Sequence, residues 1–198
     1  MIATELRLSP KDMMRLHVTD DYSIHRVAYG LFEDVRSKDQ KESAPSGFLY
    51  VDKGMVAGYR RILLLSDRSP QVPEYGTLNV KKIPDAFLTH TVYRFELVVN
   101  AVTKQGHKCL PVKGREEILR WFSGKSSESW GFETVQADVR KVRVAQIRKS
   151  EQRVTIQMAE IVGVLRVSDR QLFQKGFRLG IGRAKAFGCG LLQIVPIA

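Results

Sequence analysis

"IPDAFLTHTVYRFELVVNAV", residues 83–102, ends one run of secondary structure and begins another. Pro84 and Asp85 punctuate the chain: proline fixes φ and removes a backbone donor, and aspartate favours turns. Beyond them, residues 91–102 place Val, Tyr, Phe and Leu in the alternation of a strand with one buried face. On the N-terminal side the patterning predicts a strand over 1–9 and a helix that begins at 10–12 and resumes over 20–35. Paired strands at 47–54 and 58–68 follow, then a turn-rich connection at 68–76 and a closing strand at 77–84. On the C-terminal side it predicts a strand over 91–102, a basic loop at 103–114 and a helix over 115–124. Long alternating strands at 132–149 and 152–169, a helix at 169–180 and a last strand at 190–197 complete it. Each side runs roughly strand, helix, strand, strand, helix, strand. The expected fold class is therefore α+β, two tandem ferredoxin-like (RNA-recognition-like) domains, spanning 1–86 and 87–198 and repeated in architecture rather than in sequence.

Charge narrows the function. The 198 residues carry 32 Lys and Arg against 21 Asp and Glu, a net charge of +11. That excess favours a polyanionic partner, nucleic acid before an acidic membrane surface. No apolar run reaches the roughly eighteen residues of a membrane span, and the N-terminus lacks the pattern of a secretion signal, so the expectation is a cytoplasmic protein with no membrane partner. Cys109 and Cys189 have no partner at metal spacing and read as packing residues. No metal and no cofactor are expected.

The glycine-rich segment "LGIGRAKAFGCGLL", residues 179–192, first suggests a nucleotide phosphate. The dinucleotide fingerprint fails, because Lys185 stands where its third glycine belongs and no helix, strand and acidic residue follow. Glycine next to cations has another use: it lets backbone amides approach a phosphate. Gly180, Gly182, Arg183 and Lys185 are read as such a cradle for an RNA backbone, with Gly188 and Gly190 serving as much to turn the chain. In "DVRKVRVAQIRK", residues 138–149, alternation puts Arg140, Lys141, Arg148 and Lys149 on strand faces or a hairpin tip, where they can meet the phosphates of an RNA stem. Lys104, Lys108 and Lys113 flank Gly106 in a loop of the same character.

Of the four histidines, His17, His90 and His107 have no carboxylate or hydroxyl at a useful spacing. His25 differs: Tyr22 precedes it by three positions, on the same face of a helix, and Arg26 follows. Phenol, imidazole and guanidinium are what RNA self-cleavage requires: a base for the 2′-OH, an acid for the departing 5′ oxygen, and a cation for the phosphorane charge.

Three blocks, taken together and in order, resemble the CRISPR repeat-RNA processing endoribonucleases of the Cascade complex, CasE type. They are "DDYSIHRVAYGLF" at 20–32, "YRFELVVNAV" with "LPVKGREEILRWF" at 93–102 and 110–122, and "GIGRAKAFGCGLLQIVP" at 180–196. The resemblance implies two ferredoxin-like domains with the glycine-rich loop before the last strand. It also implies metal-independent cleavage of a repeat hairpin, leaving a 2′,3′-cyclic or 3′ phosphate and a 5′-OH. The partners implied are CRISPR precursor RNA, the mature guide RNA that stays bound, and the other Cascade subunits. His25 matches the catalytic histidine and Tyr22 an assisting tyrosine that varies among members. Lys185 matches the central lysine of the loop, and Arg183 stands where many relatives carry proline. Arg140, Lys141, Arg143, Arg148 and Lys149 correspond by position and charge alone. The other class open to this sequence is a non-catalytic RNA-binding subunit of a ribonucleoprotein complex, which keeps the basic surfaces and has no need of His25.

Overall fold

A computed structural model describes residues 1–37, 45–106, 108–149 and 152–197, with backbone alone at 148–149 and 152–153. These divide into two units, Met1–Pro84 with Lys185–Gly188, and Asp85–Ala184 with Cys189–Ala198. A four-residue piece of the glycine-rich segment thus belongs to the first unit while its flanks belong to the second.

The first unit holds β1 (Ile2–Leu8), α1 (Pro10–Arg15), α2 (Asp21–Gly30), β2 (Phe48–Val56), β3 (Tyr59–Ser66) and β4 (Thr77–Lys82). Its antiparallel sheet has the order β2-β3-β1-β4. Alternation in β1 turns Leu6 and Leu8 inward, both fully buried, while Glu5 and Arg7 pair on the opposite face, where Glu5 also binds Arg61. Onto Leu6, Leu8, Ile62 and Leu64 pack Ile24 and Ala28 from one side of α2. That helix starts on a capping box: Asp20 accepts from the Ser23 amide, and the Ser23 hydroxyl accepts from the Asp20 amide. Such a cap contributes about 1 kcal/mol and fixes where the helix begins.

Two sequence expectations change here. The helix stops at Gly30 rather than 35, because Phe32 leaves the helix to stack on Phe48 at 4.4 Å, with the Arg68 guanidinium 5.5 Å from its ring centre. Arg68 also donates to the Glu33 carbonyl at 2.8 Å, which holds the chain off the helical path. Between β3 and β4 there is no second helix. Pro70 and Pro73 sit in that connection, and the Gln71 amide is spent on the Leu31 carbonyl at 2.8 Å. The first unit keeps the ferredoxin-like strand order with one crossover helix replaced by irregular chain.

The second unit contains β5 (Val92–Asn100), β6 (Val102–Gln105), β7 (Lys108–Pro111), α3 (Arg115–Ser129), β8 (Phe132–Lys149), β9 (Gln152–Val167), α4 (Arg170–Leu179) and β10 (Gln193–Pro196). Its sheet order, β10-β5-β9-β8, completes the ferredoxin-like pattern with both helices. Tyr93, Phe95, Leu97 and Val99 alternate inward along β5, and Phe95, Phe122, Phe132 and Phe173 form the aromatic core. The basic loop expected at 103–114 is instead a hairpin, β6 with β7, turning at Gly106. β9 runs past its last β5 partner, Met158 opposite Asn100, so Gln152–Gln157 pair with β8 alone. Among the described residues no helix is long and apolar enough to cross a membrane.

Candidate active site

One face of α2 carries Tyr22, His25 and Tyr29, at the three- and four-residue spacings that bring helical side chains together. The Tyr22 and His25 rings lie 5.6 Å apart and nearly parallel, and the Tyr29 ring sits 4.1 Å from the imidazole, tilted by 41°. The fourth ring is Phe187, 5.4 Å away, from the short 3-10 turn Lys185–Phe187. His25 Nδ1 is 2.7 Å from the Ala186 carbonyl oxygen, which also accepts from the Tyr50 hydroxyl at 3.1 Å. A carbonyl oxygen only accepts, so Nδ1 carries the hydrogen and the neutral ring keeps its lone pair on Nε2. The imidazole is half-buried, held by aromatic rings and by one fixed acceptor.

The turn that supplies this acceptor is itself constrained. Ala184, just before it, has φ of 60°, a conformation that costs a non-glycine residue about 1–2 kcal/mol. Gly188, just after it, has φ of +82°, and a Cβ there would lie 3.2 Å from the Tyr50 ring. Only glycine meets both demands. Lys185 is half-buried, and its ammonium has no hydrogen bond or ion pair among the described residues. Burial pushes its pKa below the ordinary lysine value. A partly dehydrated cation without a counter-charge is stabilised by an arriving anion.

The remaining candidates are dispersed. Arg26 is exposed and lines a cavity of about 230 Å³ with Leu16, Leu31, Glu74 and Tyr75, whose lining includes neither His25 nor Tyr22. Lys185, by contrast, belongs to the turn whose Ala186 carbonyl meets the His25 imidazole. Arg183 donates to Cys109 Sγ at 2.8 Å, which sets it against the β6–β7 hairpin that also bears exposed Lys104 and Lys108. Cys109 is exposed, contrary to the packing role expected of it, whereas Cys189 is fully buried. Lys113 is exposed just before α3. Arg140, at a bulge in β8, is already paired with Glu160 at 3.0 Å and Glu96 at 3.8 Å. Lys141 is exposed and Arg143 half-buried; Arg148 and Lys149 end β8, with their side chains outside the described residues.

Gly180 caps α4 with φ of 80°, and Gly182 faces open space. The Gly190 amide is used by the Val98 carbonyl at 2.7 Å, so that glycine serves the fold rather than a phosphate. His17 is exposed, His90 packs edge-on against Tyr93, and His107 lies outside the described residues. Among the described residues, no three His, Cys, Asp or Glu side chains are grouped to hold a metal ion.

These features define a class: an α+β protein of two ferredoxin-like units, with an imidazole on α2 held through Nδ1 by a backbone carbonyl. The chain belongs to the CRISPR associated protein family, whose profile matches residues 1–196. Among solved structures it is similar to Cse3 of Thermus thermophilus bound to an RNA representing a pre-cleavage complex, with 22% identity, TM-score 0.80 and 98% of each chain covered. A CRISPR endoribonuclease Cse3 bound to 19 nt RNA gives 21% identity and TM-score 0.80, over 99% of this chain and 100% of that one. Cas6e from Escherichia coli str. K-12 gives 19% identity and TM-score 0.72 over 100% of both chains. At this level of identity the likeness is one of fold, and the shared fold is the pair of ferredoxin-like domains. No curated protein sequence matches the chain.

Proposed function

We propose that this protein is a site-specific endoribonuclease that cleaves the repeat stem-loop of CRISPR precursor RNA and stays on the mature guide RNA as a Cascade subunit in the cytoplasm. The observation that carries the reading is the His25 imidazole, whose Nδ1 meets the Ala186 carbonyl and so carries the ring hydrogen, which puts the lone pair on Nε2. Nε2 takes the proton of the RNA 2′-OH, the new O2′–P bond forms in line, and the P–O5′ bond breaks. Lys185 offsets the phosphorane charge and returns a proton to the 5′ oxygen, a role for which a lowered pKa makes it a better acid than an ordinary lysine. Tyr22 lies along the imidazole and helps to orient it. The products are a 2′,3′-cyclic phosphate, open to conversion into a 3′ phosphate, and a 5′-OH. The segment 1–86 contributes His25 and Tyr22, and 87–198 contributes Lys185 and the basic hairpins, with Arg183 against the strand pair that bears Lys104 and Lys108. Membership of the family, the RNA-bound state of the similar Cse3 structures and a net charge of +11 support this assignment.

Incubating the protein with an end-labelled repeat hairpin in excess EDTA tests it directly. The expected result is one cut, with a cyclic phosphate on the upstream fragment. Tight binding without cutting, in EDTA and in magnesium alike, would leave the non-catalytic RNA-binding subunit as the function.

The lowered pKa of Lys185 has two further consequences. An amine whose folded pKa lies below its unfolded value binds fewer protons when folded, so stability rises with pH between those two values. Lys185→Met removes that slope, and its melting temperature at neutral pH exceeds that of wild type. In cleavage, kcat/KM of wild type falls on the alkaline side as Lys185 loses its proton, below the ordinary lysine value of about 10.4. Lys185→Arg keeps the charge and cannot give up a proton in this range, so it cleaves roughly a hundred-fold more slowly and without that alkaline limb. An alkaline limb identical in the two proteins would assign it to another group.

A further inference from the structure

We infer that Tyr50 is a positioning residue for His25 and acts through the backbone carbonyl of Ala186; the inference rests on His25 as the proton-transfer group. Tyr50 comes from β2, is 2% exposed and belongs to the core beneath α2, so its hydroxyl needs a partner inside the protein. It finds the Ala186 oxygen at 3.1 Å, the same atom that His25 Nδ1 meets at 2.7 Å. A carbonyl oxygen has two lone pairs and can receive both donors at once. Three elements that are distant in sequence, β2, α2 and the turn Lys185–Phe187, are thereby joined at one oxygen.

The turn that bears that oxygen is short, Lys185–Phe187. Its own closing bond, Gly188 amide to Lys185 carbonyl, is long at 3.3 Å, and the residue before it occupies the left-handed region. Gly188, with no side chain to displace the Tyr50 ring, is what lets the phenol reach the carbonyl. The tautomer depends on this arrangement. Neutral imidazole side chains in water favour hydrogen on Nε2, the opposite of what the Ala186 carbonyl imposes. One net hydrogen bond is worth roughly a five-fold ratio of populations, which is the scale of the preference to be overturned. A carbonyl left to tip away would let the ring revert and would cover the Nε2 lone pair with a proton.

The test uses the full chain labelled with 15N-histidine, free of RNA, at a pH where the imidazoles are neutral. Long-range proton–nitrogen spectra report which ring nitrogen bears hydrogen, and His25→Gln identifies the His25 signals. Wild type should show hydrogen on Nδ1. Tyr50→Phe, which removes one oxygen and keeps the core volume, should lower the Nδ1–H to Nε2–H ratio about five-fold. Single-turnover cleavage should slow by a similar factor, with hairpin affinity within two-fold of wild type. 4-Aminophenylalanine at position 50, which restores a donor, should recover both readouts. An unmoved tautomer ratio in a Tyr50→Phe protein that melts like wild type overturns the inference, as does a wild-type ring with hydrogen on Nε2. Because the tautomer is read without RNA, a chain that shifts as expected and cuts nothing sinks the endoribonuclease reading and not this one.

Discussion

His25→Ala lowers single-turnover cleavage of the repeat hairpin by about two to four orders of magnitude, the span expected when a general acid–base group is lost, and leaves hairpin affinity within a few-fold. The variant isolates chemistry because the surroundings of His25 tolerate its removal. The Ala186 carbonyl keeps the Tyr50 hydroxyl as a donor, so no buried acceptor is orphaned. Ile24 and Ala28, not His25, form the face of α2 that packs in the core, and alanine is the better helix former. The gap left among Tyr22, Tyr29 and Phe187 is ring-sized, so imidazole added to the medium should restore part of the rate. Tyr22→Phe, which keeps the ring and loses only the hydroxyl, should cost much less. A His25→Ala protein that cuts near the wild-type rate would make the histidine a structural residue and move the chemistry elsewhere.

The strand order of both units was legible because strands such as β1 and β5 alternate cleanly and prolines and glycines mark their ends. The missing second helix of the first unit was half-legible: Pro70 and Pro73 argued for a turn-rich connection even as the repeated pattern suggested a helix. The end of α2 was not, since Leu31 and Phe32 keep the helical spacing while the ring of Phe32 is met by Phe48 and Arg68, far along the chain. Within the site, Tyr22 and His25 could be paired because they are local on one helix. The choice of Arg26 as the cation followed from adjacency, yet neighbours on a helix point about 100° apart, and Arg26 lines a different cavity. Lys185 drew notice as a phosphate contact, but its loss of water and its nearness to the imidazole's acceptor are tertiary facts. Tyr50 and the Ala186 carbonyl carried no signal at all: the partner of His25 is a backbone atom 161 positions away. Arg140 was chosen by charge alone, and its exposed guanidinium also meets Glu160 and Glu96 from two other strands, which the local sequence does not show.

Replacing the single 2′-OH upstream of the cut by hydrogen abolishes cleavage while hairpin binding persists. In the proposed reaction that hydroxyl is the nucleophile, and without it no oxygen of the RNA lies in line with the scissile P–O5′ bond. The loss is therefore of a reactant rather than of a contact, and it exceeds that of any side-chain variant. Affinity changes far less, because one hydroxyl forfeits at most a hydrogen bond of about 1 kcal/mol, roughly five-fold, against the many phosphate contacts of a basic protein. An enzyme that instead activates water, through a metal ion or through His25 itself, would cut the deoxy hairpin about as well and leave a 3′-OH or an uncyclised 3′ phosphate. The measurement pairs a gel of both substrates under single-turnover conditions with analysis of the upstream fragment's terminus. Cleavage of the deoxy substrate within about ten-fold of the ribose substrate would remove 2′-OH attack, and with it the proton transfer assigned to His25 Nε2.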